Sequence, residues 1–228
     1  MDSGATFDLP AEEAHHVSKV LRARSGDVFE VVDSGRRLFL AELRGGNEAA
    51  VLEELAVPDG NGARVILYQA VPKGRHMDLV VEKATEIGVD LIIPLVTDRG
   101  VVRLDGGAGK VARWRRVAEA AARQSLRLRV PEVGEPVSFS EAVSETDEGG
   151  ILLHNGDGLP RLEDVAGPEE ASLFVGPEGG WSEPELSLAE ESGLALARLG
   201  PYRLRSETAG VVAVARARAA LETAVEHT

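Results

Sequence analysis

Phe174-Val175-Gly176-Pro177-Glu178-Gly179-Gly180-Trp181, followed by Ser182-Glu183-Pro184-Glu185, sets the reading of the rest of the chain. The stretch opens on a short apolar strand candidate, Ser172 to Val175, and closes on a helix start. Serine followed three residues later by glutamate is a capping box, and proline is tolerated in a first helical turn. The glycines between them allow positive φ and let a ligand approach the backbone closely. Strand, glycine-rich turn and capped helix together make one unit of an α/β sheet. In open sheets of that kind ligands sit at the carboxyl ends of the strands. A Gly-Gly pair alone is more often just a tight turn. The loop matches neither G-x-G-x-x-G nor a phosphate loop ending in Gly-Lys-Ser/Thr, which disfavours a phosphate-cradling role.

Downstream, Gly193 ends the capped helix and Leu194 to Leu199 reads as the last strand. Leu199-Gly200-Pro201-Tyr202-Arg203-Leu204-Arg205-Ser206-Glu207-Thr208-Ala209 is then a polar connection into a buried final helix, Glu207 to about Glu226. Glu207 is favourable at a helix N-terminus; Arg205 is not, unless it has a partner or a substrate. A pair that merely fixes the loop and a functional pair are both open. Upstream, Val65 to Val71 is an apolar strand. Met77 to Ile87 is a helix stopped by Gly88, and Val89 to Val96 is a second strand. Lys110 to about Arg127 is a basic helix ended before Pro131, and Glu141 to Glu145 is a short helix. Ile151 to His154 is another buried strand. Such alternation predicts a mostly parallel sheet with helices on both faces.

Residues 1 to about 60 have a different texture. Asp27–Asp33 and Arg37–Leu43 are β-rich runs joined by Ser34-Gly35, and Val51–Val57 is a third. His15 to Arg22 reads as a short helix, and Pro58-Asp59-Gly60-Asn61-Gly62 as a linker. A small β-barrel is the economical reading.

The formal net charge of −13 argues by itself against a nucleic-acid partner. From Lys110 to Arg129, however, seven basic residues accompany one acid, Glu119. At helical spacing Arg113, Arg116, Arg123 and Arg127 share one face, opposite Val111, Trp114, Val117, Ala118 and Ala121. A solvated face is the commoner meaning of such a stripe, but the near absence of acids points towards an RNA backbone. Lys73 and Arg75 follow a strand end, where they could meet substrate, and Lys83–Glu86 is most simply a surface ion pair. There are no cysteines, no histidine spacing suited to a metal and no membrane-length apolar run. No secretion signal is visible at the N-terminus, so a cytoplasmic location is expected.

The two glycine-bearing segments, taken with His15-His16, Val20-Leu21-Arg22, Gly26-Asp27, Met77-Asp78 and Lys83-Ala84-Thr85-Glu86-Ile87-Gly88, resemble one family across nearly the whole chain. Arg113-Trp114, Ala120-Ala121, Gln124-Ser125 and Pro131-Glu132-Val133 complete the set. The family is ribosomal RNA small subunit methyltransferase E, the 16S rRNA uracil-N3 methyltransferases. The resemblance implies a PUA-like β-barrel RNA-binding domain over residues 1–62. Over 63–228 it implies an α/β methyltransferase domain of the SPOUT type with a trefoil knot, acting as a homodimer on the small ribosomal subunit. It implies S-adenosyl-L-methionine as methyl donor, held around Leu153, Gly176, Gly180, Leu199, Gly200 and Leu204, with no metal. Arg205 is then expected to stabilise charge on the uracil. Glu207 or Glu178 would orient Arg205 or take the N3 proton. Arg22, Lys73, Arg75, Arg113, Arg116, Arg123 and Arg127 are expected on RNA. Two departures stand out: Met1 to Phe7 lacks the family's usual arginine, and Arg123 and Gly100 replace a common glutamate and serine. Competing readings are a knotted ribose 2′-O-methyltransferase, whose Ser-Leu-Asn-type motif is absent here, and a non-catalytic RNA-binding protein.

Overall fold

The computed structural model describes residues 4–15, 17, 19, 22–56, 63–100, 108–146 and 149–226. The expected linker at 58–62, and His16, Val20 and Leu21, lie outside them. The chain divides into two units, Met1–Pro58 with Leu126–Arg129, and Asp59–Ser125 with Val130–Thr228.

In the first unit, β1 (Thr6–Asp8), β2 (Val28–Val32), β3 (Leu38–Gly45) and β4 (Glu48–Leu55) form an antiparallel sheet in the order β1-β4-β3-β2. Strand β3 buries every second side chain, Phe39, Ala41 and Leu43, as expected of a strand with one face on a core. The β2–β3 turn is tied by Asp33, which accepts hydrogen bonds from Arg37 N (3.0 Å) and Arg37 Nη2 (2.9 Å). The first of these does most to hold the Asp33 carboxyl below its ordinary pKa. Helix α1 spans Ala11–His15, ending where the sequence predicted a helix to begin. Its start is set by Pro10, whose carbonyl accepts from Ala14 N at 2.8 Å. Arg22 has φ 55°, a left-handed value at which an L-residue does not continue a helix.

The second unit is a parallel sheet in the order β11-β9-β10-β5-β6-β7, with β8 also pairing β6. Its strands are β5 (Arg64–Ala70), β6 (Leu91–Val96), β7 (Glu132–Val133), β8 (Val137–Ser138), β9 (Gly150–Leu153), β10 (Glu170–Val175) and β11 (Ala195–Ala197). Successive side chains alternate between faces, and both faces are covered. Val65 and Leu67 of β5 join Val80 and Ala84 of α2 (His76–Ile87), Trp114 and Ala118 of α3 (Ala108–Gln124), and Val214 of α6 (Ser206–Glu226). Ile66 and Tyr68 join Phe139 and Val143 of α4 (Phe139–Ser144) and Ala189 of α5 (Glu183–Glu191). There Tyr68 stacks on Phe174 with ring centroids 4.4 Å apart.

Helix ends follow local chemistry. Gly88 closes α2 at φ 115°, its N–H donating to Ala84 O and Thr85 O. Capping boxes open α4 (Ser138 with Glu141) and α5 (Ser182 with Glu185). Helix α3 stops at Gln124, three residues short of expectation, because Leu126 adopts φ 55°. Arg127 therefore lies off the helical stripe and within the segment that groups with the first unit.

Candidate active site at the carboxyl edge of the sheet

All pairings in the second unit are parallel, so every strand delivers its carboxyl end to one edge. The register aligns four of those ends in a row. Val175 is opposite Gln69 on one side and Leu153 on the other, and Leu153 is opposite Ala197. From this row leave the Lys73–His76 turn, the segment after Leu153, the Gly176–Trp181 loop and the Arg198–Arg205 loop. The two segments singled out by sequence, though some 20 residues apart, thus emerge side by side.

Trp181 turns its indole back onto the sheet, donating Nε1–H to Leu153 O at 3.0 Å and packing on Phe139. Its ring explains Gly176: a Cβ there would sit 3.0 Å from Trp181 Cε2. Gly180 turns the loop at φ 72°, a value that favours glycine. Ser182 then caps α5 while donating to Asp98 Oδ2 at 2.6 Å, and buried Glu185 accepts from Asp98 N at 2.9 Å. Glu178 is exposed; its Oε1 accepts from Lys73 N (3.3 Å) and its carbonyl from Arg203 Nη2 (3.2 Å).

On the other side, Arg216 of α6 donates to the carbonyl of Leu199 and forms an ion pair with Glu163. Leu199, Gly200 and Leu204 are half-buried. Ser206 begins α6 and donates its hydroxyl to Gly176 O at 2.7 Å, a direct bond between the two loops. Arg205 precedes it, exposed, its carbonyl accepting the first helical N–H from Ala209 at 2.8 Å. Glu207 is only 7% exposed. The side chain beside it is His76, with Nδ1 3.5 Å from Oε1, and not Arg205. A loop-fixing Arg205–Glu207 pair is therefore absent among the described residues.

Much of the backbone at this edge is already engaged: Gly176 O accepts from Ser206, Leu153 O from Trp181 and Leu199 O from Arg216, and Gly180 N donates to Pro177 O at 2.9 Å. Among the described residues no cluster of acids and histidines could hold a metal ion.

The predicted cationic residues are not equivalent. Lys73 and Arg75 are exposed at the edge, Arg75 beside Asp78 at 3.7 Å. Arg113 is taken by an ion pair with Asp78. Arg116 and Arg123 are exposed along α3, whereas Arg22 and Arg127 belong to the first unit. Arg115 is structural, donating to Val133 O (2.9 Å) and Glu135 (3.0 Å). Lys83 pairs with Glu82 and Glu86, whose hydrogen bonds push its pKa up to about 12.

Sequence reasoning passed over His76 and Gln69. His76 gave no signal, because its partner lies 131 positions away in the chain. Gln69 left one: it is a polar residue inside an otherwise apolar strand run, and a buried amide demands partners.

Residues 60–218 match the RNA methyltransferase domain family, and residues 9–55 match the RNA methyltransferase PUA domain. Ribosomal RNA small subunit methyltransferase E of Mycobacterium bovis is 34% identical over 226 residues, covering 93% of this chain and 86% of that protein. The crystal structure of a ribosomal RNA small subunit methyltransferase E from Neisseria gonorrhoeae, bound to S-adenosyl methionine, superposes with a TM-score of 0.74 at 31% identity. That match covers 94% of this chain and 92% of the other. A methyltransferase from Legionella pneumophila, in complex with the bound cofactor SAM, gives a TM-score of 0.76 at 30% identity over 96% of this chain and 94% of its own.

Proposed function

Because the chain belongs to the ribosomal RNA small subunit methyltransferase E family, we propose that it methylates N3 of one uridine in 16S ribosomal RNA. S-adenosylmethionine supplies an electrophilic methyl group on a sulfonium. The observation that carries the assignment of the site is the bond from Ser206 to Gly176 O, which joins the glycine loop to the Arg205–Glu207 segment at the row of strand ends.

N3 lies on the Watson–Crick edge of uracil, so the base must be unpaired and turned out of any stack. Loss of the N3 proton spreads negative charge over O2 and O4. Arg205 is the group for that charge: a guanidinium at the mouth of the edge, anchored by its own backbone at the start of α6 and without a side-chain partner among the described residues. Glu207 fits the proton better than Glu178. It is shielded from water and lies 3.5 Å from His76 Nδ1, whereas Glu178 is exposed and already engaged by Lys73. The adenosyl group rests against Leu153, Gly176, Gly180, Leu199, Gly200 and Leu204.

RNA binding is assigned to Lys73 and Arg75 at the edge, Arg116 and Arg123 along α3, Arg113 on the same helix beside its ion pair with Asp78, and Arg22 and Arg127 with the PUA domain. The same reading includes a trefoil knot through the Gly176 and Gly200 loops, a homodimer and a cytoplasmic location. Mass spectrometry of 16S rRNA from a deletion strain tests the reaction. N3-methyluridine should vanish without the gene and return with it, and an unchanged modification would refute the proposal.

A further inference from the structure

We infer that Gln69 is a positioning residue that links the glycine loop to Arg205 through Ser206. The penultimate residue of strand β5, Gln69, has 0% exposure and stands in the same row as Val175. Its Nε2 donates twice, to Ala70 O at 2.9 Å and to Ser206 Oγ at 2.9 Å. Ser206 donates its hydroxyl hydrogen bond to Gly176 O at 2.7 Å. The chain of bonds has one direction only. A serine hydroxyl can donate once, and with that donation directed at Gly176 O its oxygen must accept from Gln69. Turning the amide over would set Oε1 against the Ala70 carbonyl and leave Ser206 without a donor, so the hydrogen bonds settle its orientation.

The price of this arrangement is visible at the other end of the amide. Oε1 is buried with no partner among the described residues, and it faces Gly210 of α6, where a Cβ would stand 2.1 Å away. A buried polar atom without a partner is costly, so it marks a constraint elsewhere in the group. Here both donors are committed: one to the strand end, one to the first residue of α6. That residue is bonded to Arg205 covalently and to the glycine loop by its hydroxyl. A chain of polarised hydrogen bonds is stiffer than its separate members. The relay therefore makes the glycine loop, the α6 N-terminus and Arg205 move together, so that a filled adenosyl site and a correctly placed guanidinium occur in the same conformation.

This inference rests on the proposed methyl transfer, and the test separates the two. In the full-length protein, S-adenosylhomocysteine affinity is measured by calorimetry, and kcat by tritiated methyl transfer to small ribosomal subunits at saturating S-adenosylmethionine. Ser206→Ala and Gln69→Met should each weaken cofactor binding and also lower kcat at saturation, each on the order of tenfold for one lost buried bond. Ser206→Thr, which keeps the hydroxyl, should retain most of both. The double variant Gln69→Met/Ser206→Ala should be no worse than the more affected single one, because both remove the same relay. Wild-type kcat in Ser206→Ala, losses confined to cofactor affinity, or additive losses in the double variant would each overturn the relay. Should Gln69→Met fail to fold, Ser206→Ala, which deletes one oxygen, decides alone. A wild-type protein that neither binds S-adenosylhomocysteine nor methylates would instead refute the proposed function.

Discussion

Replacing Gly210 by alanine should destabilise the protein, although it lies inside helix α6, where helix propensity favours alanine by about 1 kcal/mol. The reason is local. The new methyl would stand 2.1 Å from Gln69 Oε1 and 3.4 Å from Val80 Cγ1, and the first distance is impossible. Gln69 is fully buried, so its amide cannot swing into solvent. It must give up its bonds to Ala70 O and Ser206 Oγ, worth about 1 kcal/mol each, or α6 must shift against β5. Overpacking of a tight core adds roughly 1–3 kcal/mol. Set against the propensity gain, the net loss is about 2–4 kcal/mol. Urea unfolding followed by circular dichroism measures it as a lower midpoint at unchanged slope. Gly109→Ala in α3 is the matched control. A Cβ there meets nothing within 4 Å, so it should gain about 0.5–1 kcal/mol. Equal or greater stability of Gly210→Ala would refute the packing of Gln69 against α6.

Other consequences follow from single contacts. Arg205→Ala should abolish methyl transfer while leaving S-adenosylhomocysteine affinity nearly unchanged; wild-type turnover would remove Arg205 from the reaction. Arg218 joins three backbone-distant points, donating to Gly88 O (2.7 Å) and Ala63 O (2.8 Å) and pairing with Asp90. Arg218→Met should therefore cost about 1–3 kcal/mol by taking a donor from two carbonyls and from the part-buried Asp90, read as a lower urea midpoint. Ser138→Ala removes the α4 cap and should cost about 1 kcal/mol in the same assay. The Ser138 hydroxyl, and then its N–H, hold the Glu141 carboxyl below its ordinary pKa. A depressed carboxylate stabilises the fold above its unfolded pKa and loses that contribution as pH falls through the folded value. The gap in stability between wild type and Glu141→Gln should thus be full near neutrality and close below the ordinary carboxylate range; a gap that widens on acidification would contradict the cap.

Much of this architecture was legible because it is written locally. Gly88 as the stop of α2 and the Ser182–Glu185 box opening α5 are contacts within a few residues, and both are present. The strand–loop–helix reading around Phe174 to Trp181 needed only periodicity and turn chemistry. The errors have the opposite character. Strands β1, β7 and β8 are two or three residues long and exist only by pairing with distant strands, so they leave no periodic trace. The end of α3 depends on the left-handed turn at Leu126, and a leucine carries no turn signal. Arg113 looked like a member of a free basic stripe, yet Asp78, 35 positions away, occupies it. In the site, glycines and charges were visible, whereas the pairings His76–Glu207 and Gln69–Ser206 were not. Those bonds depend on how β5 and α6 pack, and spacing along a chain does not encode them.

The measurement that bears most directly on the whole account is a crystal structure of this chain grown with S-adenosylmethionine. The adenosyl group should lie against the backbone of Gly176, Leu199, Gly200 and Leu204, with the sulfonium methyl facing the side of the edge where Arg205 and Glu207 stand. Density for the cofactor anywhere else, or at that edge with its methyl turned away from Arg205, would contradict it.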